Sequence, residues 1–280
     1  MNLEKIRKQS DSTILKFVLL GFTVAFYIGA LLAPDLNEIF SGFVRILTKP
    51  AVLTKDYFFL ELGSISGSCL NAGIIGTICC AMMFLPGMVA TGTTVAAFFL
   101  TVGFCFYGMN PLNLLPFVLG VFVYSRIKRQ PFAKFVNFAM FSTALAPLIS
   151  EVLFRYPGTE THGITLLGVA LALLIGVVTG CAMPALCAHS PGFHKGYDLY
   201  NAGPAAGFLC FLFFAVMYKT LGIEAPAIAA TLGEGNWAFV NVFCIITFAL
   251  CVVAGFFLSG KSFKGYKKVL MESGHSVDFA

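Results

Sequence analysis

Residues Leu62–Ser125 read LGSISGSCLNAGIIGTICCAMMFLPGMVATGTTVAAFFLTVGFCFYGMNPLNLLPFVLGVFVYS, without one Asp, Glu, Lys or Arg. A soluble domain would need an improbably large dry core to hide that stretch. A bilayer requires it, because a charge at the centre of a spanning helix costs roughly 2.5–3.5 kcal/mol on insertion scales. The rest of the chain agrees. Charged residues are 11% of the whole, against roughly 25% in ordinary soluble domains, while hydrophobic residues reach 58%, with 31 Phe and a mean hydropathy of +0.88. The expected fold class is all-α, a polytopic transmembrane helix bundle.

A span takes about 20 apolar residues. Segments of that character are Ile14–Leu32, Ser66–Leu85, Met88–Tyr107, Leu112–Tyr124, Phe132–Phe154, Ile164–Ala188, Leu199–Tyr218 and Trp237–Leu258. Leu112–Tyr124 is short and holds Pro116, so it reads either as a tilted span or as one arm of a re-entrant pair with Met88–Tyr107. Ile14–Leu32 reads as a retained first span, since Ala30, Ala33 and Pro34 make a poor cleavage site for a signal peptide.

The basic residues test this count. Lys5, Arg7 and Lys8 precede the first span; Arg126, Lys128, Arg129 and Lys134 lie between the fourth and fifth; Lys195 follows the sixth; Lys261, Lys264, Lys267 and Lys268 follow the eighth. With eight crossings all four groups fall on one side, which the positive-inside rule makes the cytoplasm, so both termini are expected inside. Clusters that flank apolar segments in this way do not form a nucleic-acid-binding face. Between the first two spans, Leu36, Ile39, Phe40, Phe43, Ile46 and Leu47 recur at helical spacing among Glu38, Arg45 and Lys49. That pattern predicts an amphipathic helix at the outer surface, ended by Pro50.

Phe40-Ser-Gly42-Phe43-Val-Arg45-Ile46-Leu47 is echoed by Phe263-Lys-Gly265-Tyr266-Lys-Lys268-Val269-Leu270, each copy following an apolar span, and Asp56-Tyr57 by Asp278-Phe279. Under the topology above the copies lie on opposite sides, the relation of an inverted repeat; coincidence between two aromatic-basic segments is the alternative. On the repeat reading, residues 1–258 form a first integral membrane repeat and 259–280 begin a second, apparently truncated one. A shorter echo joins Leu70-Asn71-Ala72-Gly73 to Tyr200-Asn201-Ala202-Gly203. Gly lets a helix start unwind, and Asn supplies both a donor and an acceptor, so Asn71, Gly73, Asn201 and Gly203 are candidate substrate-binding residues. Close helix packing is the competing explanation, and Gly63/Gly67, Gly176/Gly180 and Gly203/Gly207 have the spacing for it.

Ionisable groups inside spans are functional candidates. Glu151 could couple to an ion or proton, or simply pair with Arg155. Asp198 could do the same, or favour the positive end of a helix. Gly92-Thr93-Thr94 and Asn110-Pro111 punctuate the charge-free stretch, which adds Thr93 and Asn110 to the substrate-binding candidates. Asn110-Pro111-Leu112 departs from the aquaporin Asn-Pro-Ala pair and has no second copy, which excludes that reading. His189 and His194 read as ordinary loop histidines. The nine cysteines have no metal or disulfide spacing and read as small apolar residues. No Walker, HExxH, GxSxG or GxGxxG motif is present. No catalytic residue, metal or cofactor is therefore expected, and the chain is not expected to be an enzyme.

Three segments carry a family resemblance: Leu60–Gly73 (Leu-Glu-Leu-Gly, then Leu-Asn-Ala-Gly), Gly103–Val121, and Gly196–Gly203 (Gly-Tyr-Asp-Leu-Tyr-Asn-Ala-Gly). They resemble the domain of unknown function 1576 family, multi-pass proteins found mostly in Firmicutes. The resemblance implies a bacterial plasma membrane and longer relatives, and names no substrate. The repeat and the Gly/Pro-interrupted spans point to a secondary transporter or permease-like protein, with a passive small-solute channel as a near variant. The competing class is a non-transporting scaffold or sensor that packs against a partner. Expected partners are the lipid bilayer, a small solute and further copies of the chain, with no nucleic acid.

Overall fold

A computed structural model describes residues 3–51, 62–195, 201–225 and 237–271. Every regular element among them is helical. The first, α1 (Leu3–Leu32), is followed by a short 3-10 turn at Leu36–Glu38 and by α2 (Ile39–Thr48), which stops before Pro50 as the pattern predicts. Then come α3 (Ile65–Met83), α4 (Gly92–Phe104) and α5 (Pro111–Ile127). Next are α6 (Val136–Ser142) and α7 (Ala146–Phe154), two halves of one broken span, followed by α8 (Leu166–His189) and the single turn α9 (Pro191–His194). The last are α10 (Ala202–Phe214), continued by a π-helical turn at Ala215–Thr220, then α11 (Trp237–Leu258) and α12 (Lys264–Met271).

Among the described residues, six helical stretches are long and apolar enough to cross a membrane: Ser10–Leu32, Ile65–Met83, Phe132–Phe154, Leu166–His194, Ala202–Thr220 and Trp237–Leu258. The other two expected spans are the shorter apolar helices Gly92–Tyr107 and Pro111–Ile127. At about 1.5 Å per residue each reaches about 25 Å, short of a hydrocarbon core of about 30 Å. The turn that joins them, Gly108–Asn110, is buried in protein, while the two helices pack on different neighbours, Gly92–Tyr107 chiefly on Val136–Ser142 and Pro111–Ile127 chiefly on Leu166–His189. Lipid offers no hydrogen bonds, so in a membrane-spanning bundle the backbone groups of such a turn are best paired within protein.

The bundle closes through small residues. α1 and α3 run antiparallel, with Tyr27 of α1 against Gly73 and Thr23 against Gly76, where an added Cβ would come within 2.9 Å and 2.7 Å of side-chain atoms. α5 and α8 approach more closely still. A Cβ on either Gly120 or Gly180 would stand 2.9 Å from the other's Cα, and Gly176 receives the ring of Pro116. This is the close approach anticipated for the Gly176/Gly180 pair. Gly203 and Gly207, with the same spacing on α10, are exposed.

α2 is tied across the start of α3. The Asp35 carboxylate accepts from the Ile65 and Ser66 N–H groups at 2.7 and 2.9 Å, and Ser64 caps the same helix by accepting from the Gly67 N–H at 2.8 Å. Arg45 donates to the Gly63 carbonyl at 2.6 Å and pairs with Glu38 at 3.1 Å. At the other end of the bundle, Lys16 donates to the Met88 carbonyl and Ser12 accepts from the Ala90 N–H, each at 2.7 Å. α11 packs on α1 and the start of α3 through Phe239, Val240 and Phe243, and among the described residues none of its side chains is buried.

Candidate functional site

The turn between α4 and α5 is built by four local devices. Gly108 takes a left-handed conformation (φ +97°), which lets the Met109 N–H reach back to the Phe104 carbonyl at 3.0 Å and end the first arm. Asn110 then caps α5, its Oδ1 accepting from the Leu112 and Asn113 N–H groups at 3.0 and 3.1 Å. Pro111 opens the helix, where its missing N–H costs nothing. Asn113 closes a capping box by accepting from the Asn110 N–H at 2.8 Å.

The same asparagines hold neighbouring elements. Asn110 Nδ2 donates to the Ile46 carbonyl of α2 at 2.9 Å. Asn113 Nδ2 donates to the Gly108 carbonyl at 2.9 Å and to Ser150 Oγ of α7 at 2.8 Å. From α3, Asn71 donates to the Met109 carbonyl at 2.6 Å and to the Cys105 carbonyl at 3.4 Å. The Asn71 side chain is fully buried, yet among the described residues its Oδ1 has no hydrogen-bond partner.

One residue beyond Ser150 stands Glu151, 7% exposed. It is held by a bidentate ion pair with Arg155, the pairing weighed for it from the sequence, and accepts from the Tyr218 hydroxyl at 3.2 Å. Tyr218 lies in the π-helical turn, a local widening of the helix that often accompanies functional sites. Upstream, the α6–α7 span breaks because Pro147 has no N–H to offer the Thr143 carbonyl. The hydroxyls of Thr101 and Thr143 both donate to the Met140 carbonyl just before that break, at 3.2 and 2.6 Å. The result is a polar belt in two adjoining parts: hydrogen bonds run from Asn71 through the buried turn and Asn113 to Ser150, and the Glu151, Arg155 and Tyr218 group begins at the next residue of α7.

The sequence candidates divide accordingly. Asn71, Asn110 and Glu151 belong to the belt. Gly73 faces Tyr27 and serves the α1–α3 contact. Thr93 is exposed at the far end of α4. Asn201 does not match Asn71 in setting: it precedes α10 in a left-handed conformation (φ +53°) and meets His194 Nε2 at 2.6 Å. Gly203 is exposed beside it, and neither joins the belt. Asp198 lies outside the described residues. Asn113, Ser150 and Tyr218 were not singled out; only the Asn110-x-x-Asn113 spacing gave a readable signal, that of a capping box. Among the described residues no three His, Cys, Asp or Glu side chains gather as a metal site, and all nine cysteines are free thiols.

A family model described as "Protein of unknown function (DUF1576)" matches residues 35–219. The chain belongs to this family. The DUF1576 match begins at Asp35, which caps α3, and ends beside Tyr218, so the whole belt lies within it. α11 and α12 lie beyond it. Comparison with the curated proteins and with the solved structures finds no match.

Proposed function

We propose that this DUF1576 protein is a secondary transporter or permease-like protein of a bacterial plasma membrane, moving a small solute past the polar belt. The observation that carries the reading is the Asn71 carbonyl oxygen, buried and unpartnered beside a chain reversal inside the bundle. Leaving a buried acceptor unsatisfied costs about 1–3 kcal/mol, a cost that a bound solute or ion would offset. Interrupted helices near the bilayer midplane are the usual place for transporter sites, because their freed backbone groups face the ligand. The cytoplasmic placement of both ends and eight crossings belong to this reading, with Gly92–Tyr107 and Pro111–Ile127 as the short pair. An inverted repeat belongs to it too, supported by α2 and α12, amphipathic helices that each follow a span.

Uptake of a panel of small solutes into vesicles containing the purified protein tests the proposal. Flux above empty vesicles, reduced at least tenfold by Asn71→Ala with folding intact, is the expected result. Flux that Asn71→Ala leaves unchanged would remove the site, and no flux for any solute would favour the scaffold reading. That second reading draws support from α11, which has no buried residue among those described.

A further inference from the structure

We propose that the face between α5, α8 and the turn at Phe132–Phe135 is a binding site for an anionic glycerophospholipid. A groove of about 450 Å³ runs there, bounded by Leu112, Leu115, Leu119, Phe122, Phe132 and Leu173, with Pro116 at its floor. The residues that line it are all of apolar type. Four of these side chains, Leu112, Leu115, Leu119 and Leu173, are 45–51% exposed, which leaves the groove open along its length. One end is closed by Phe122 and Phe132, whose rings meet edge-on at 5.9 Å.

Directly beyond that end the surface changes character. The Arg126 guanidinium lies over the Phe122 ring at 5.0 Å, and the Lys128 ammonium over Tyr124 at 5.6 Å. Arg129 and Lys134 are exposed beside them. Residues 62–150 contain no Asp or Glu, and among the described residues none of these four cations pairs with a carboxylate. A guanidinium seated on an aromatic face keeps its N–H edge free, the edge that grips a phosphate in bidentate fashion. An apolar channel that ends at unneutralised cations fits one acyl chain and an acidic headgroup. Basic pockets between spanning helices recognise anionic lipids in this way.

The test is native mass spectrometry of the purified protein after exchange into equimolar phosphatidylglycerol and phosphatidylcholine. The unsubstituted chain is expected to retain phosphatidylglycerol in preference. Arg126→Gln and Lys134→Gln each remove one exposed charge and should lower that preference about fivefold, the effect of one basic residue near an anionic surface. Leu119→Trp fills the groove from an exposed position and should abolish retention while the melting temperature stays the same. Equal retention of the two lipids would overturn the proposal. So would phosphatidylglycerol retained undiminished in both kinds of variant, or displaced by soluble glycerol phosphate alone.

Discussion

Alanine at Asn113 should destabilise the protein more than alanine at Asn71, although both side chains are fully buried asparagines. The same atoms leave in each case, so the transfer and cavity contributions nearly cancel in the comparison. What differs is the hydrogen bonding. Asn113 makes three good bonds, to Ser150 Oγ at 2.8 Å, the Gly108 carbonyl at 2.9 Å and the Asn110 N–H at 2.8 Å. Asn71 makes one good bond, to the Met109 carbonyl at 2.6 Å, and a long one at 3.4 Å, while its Oδ1 has no partner among the described residues. Side-chain hydrogen bonds between helices in a membrane protein average about 0.6 kcal/mol and reach about 1.7 kcal/mol. The one bond of that kind, to Ser150, together with about 1 kcal/mol for the lost capping contacts, puts Asn113→Ala at about 2 kcal/mol. Asn71→Ala should stay below about 1 kcal/mol, because deleting an unsatisfied buried acceptor returns part of its desolvation cost. Reversible unfolding by SDS in mixed micelles measures both. Equal destabilisation, or a larger loss at Asn71, would make Asn71 a structural brace and take away the main support for a solute site.

Other substitutions probe the remaining contacts. Gly180→Leu should cost at least about 1–3 kcal/mol by forcing α5 and α8 apart, whereas Gly207→Leu, with open space around it, should be neutral; thermal melting compares them. Arg155→Gln strands the Glu151 carboxylate, with side chains 22% and 9% exposed in the pair, and should destabilise by about 2 kcal/mol after discounting for that exposure. Glu151→Gln added to it should restore most of the loss, and no recovery in the unfolding midpoint would refute the pairing. Hydrogen bonds from Ser41 and then Arg45 hold the Glu38 carboxyl below the usual range. The stability it contributes is therefore present above the unfolded-state value of about 4.3 and lost as pH falls through the lower folded value. Ser41→Ala should move the NMR titration of Glu38 upward, and an unmoved titration would deny the bond. Gln130→Cys and Thr159→Cys should react with a membrane-impermeant maleimide from opposite faces of sealed vesicles. Labelling from one face would mean that Phe132–Phe154 does not cross.

The membrane-helical class follows from sequence alone, because insertion depends on local composition: a segment without charge belongs in lipid whatever its neighbours do. The amphipathic helix before Pro50 and the small-residue seam at Gly176 and Gly180 were equally legible, since helical periodicity and the absence of a Cβ are local facts. The site was legible only in fragments. Asn71 and Asn110 stood out as amides in an apolar stretch, and Glu151 as a carboxylate within a span. Gly73, Thr93, Asn201 and Gly203 stood out by the same local rules, yet the fold turns Gly73 toward Tyr27 and leaves the other three away from the belt. Ser150 and Tyr218 carried no local signal. Their roles come from contacts with residues 37 and 67 positions away, and a hydrogen bond of that span is decided by how the helices pack. Tertiary structure alone settled that the reversal at Gly108–Asn110 is covered by protein, and that of two similar Asn-Ala-Gly sequences one is buried in α3 and the other stands at the start of α10 beside His194. Burial is a property of neighbours, and only the fold assigns them.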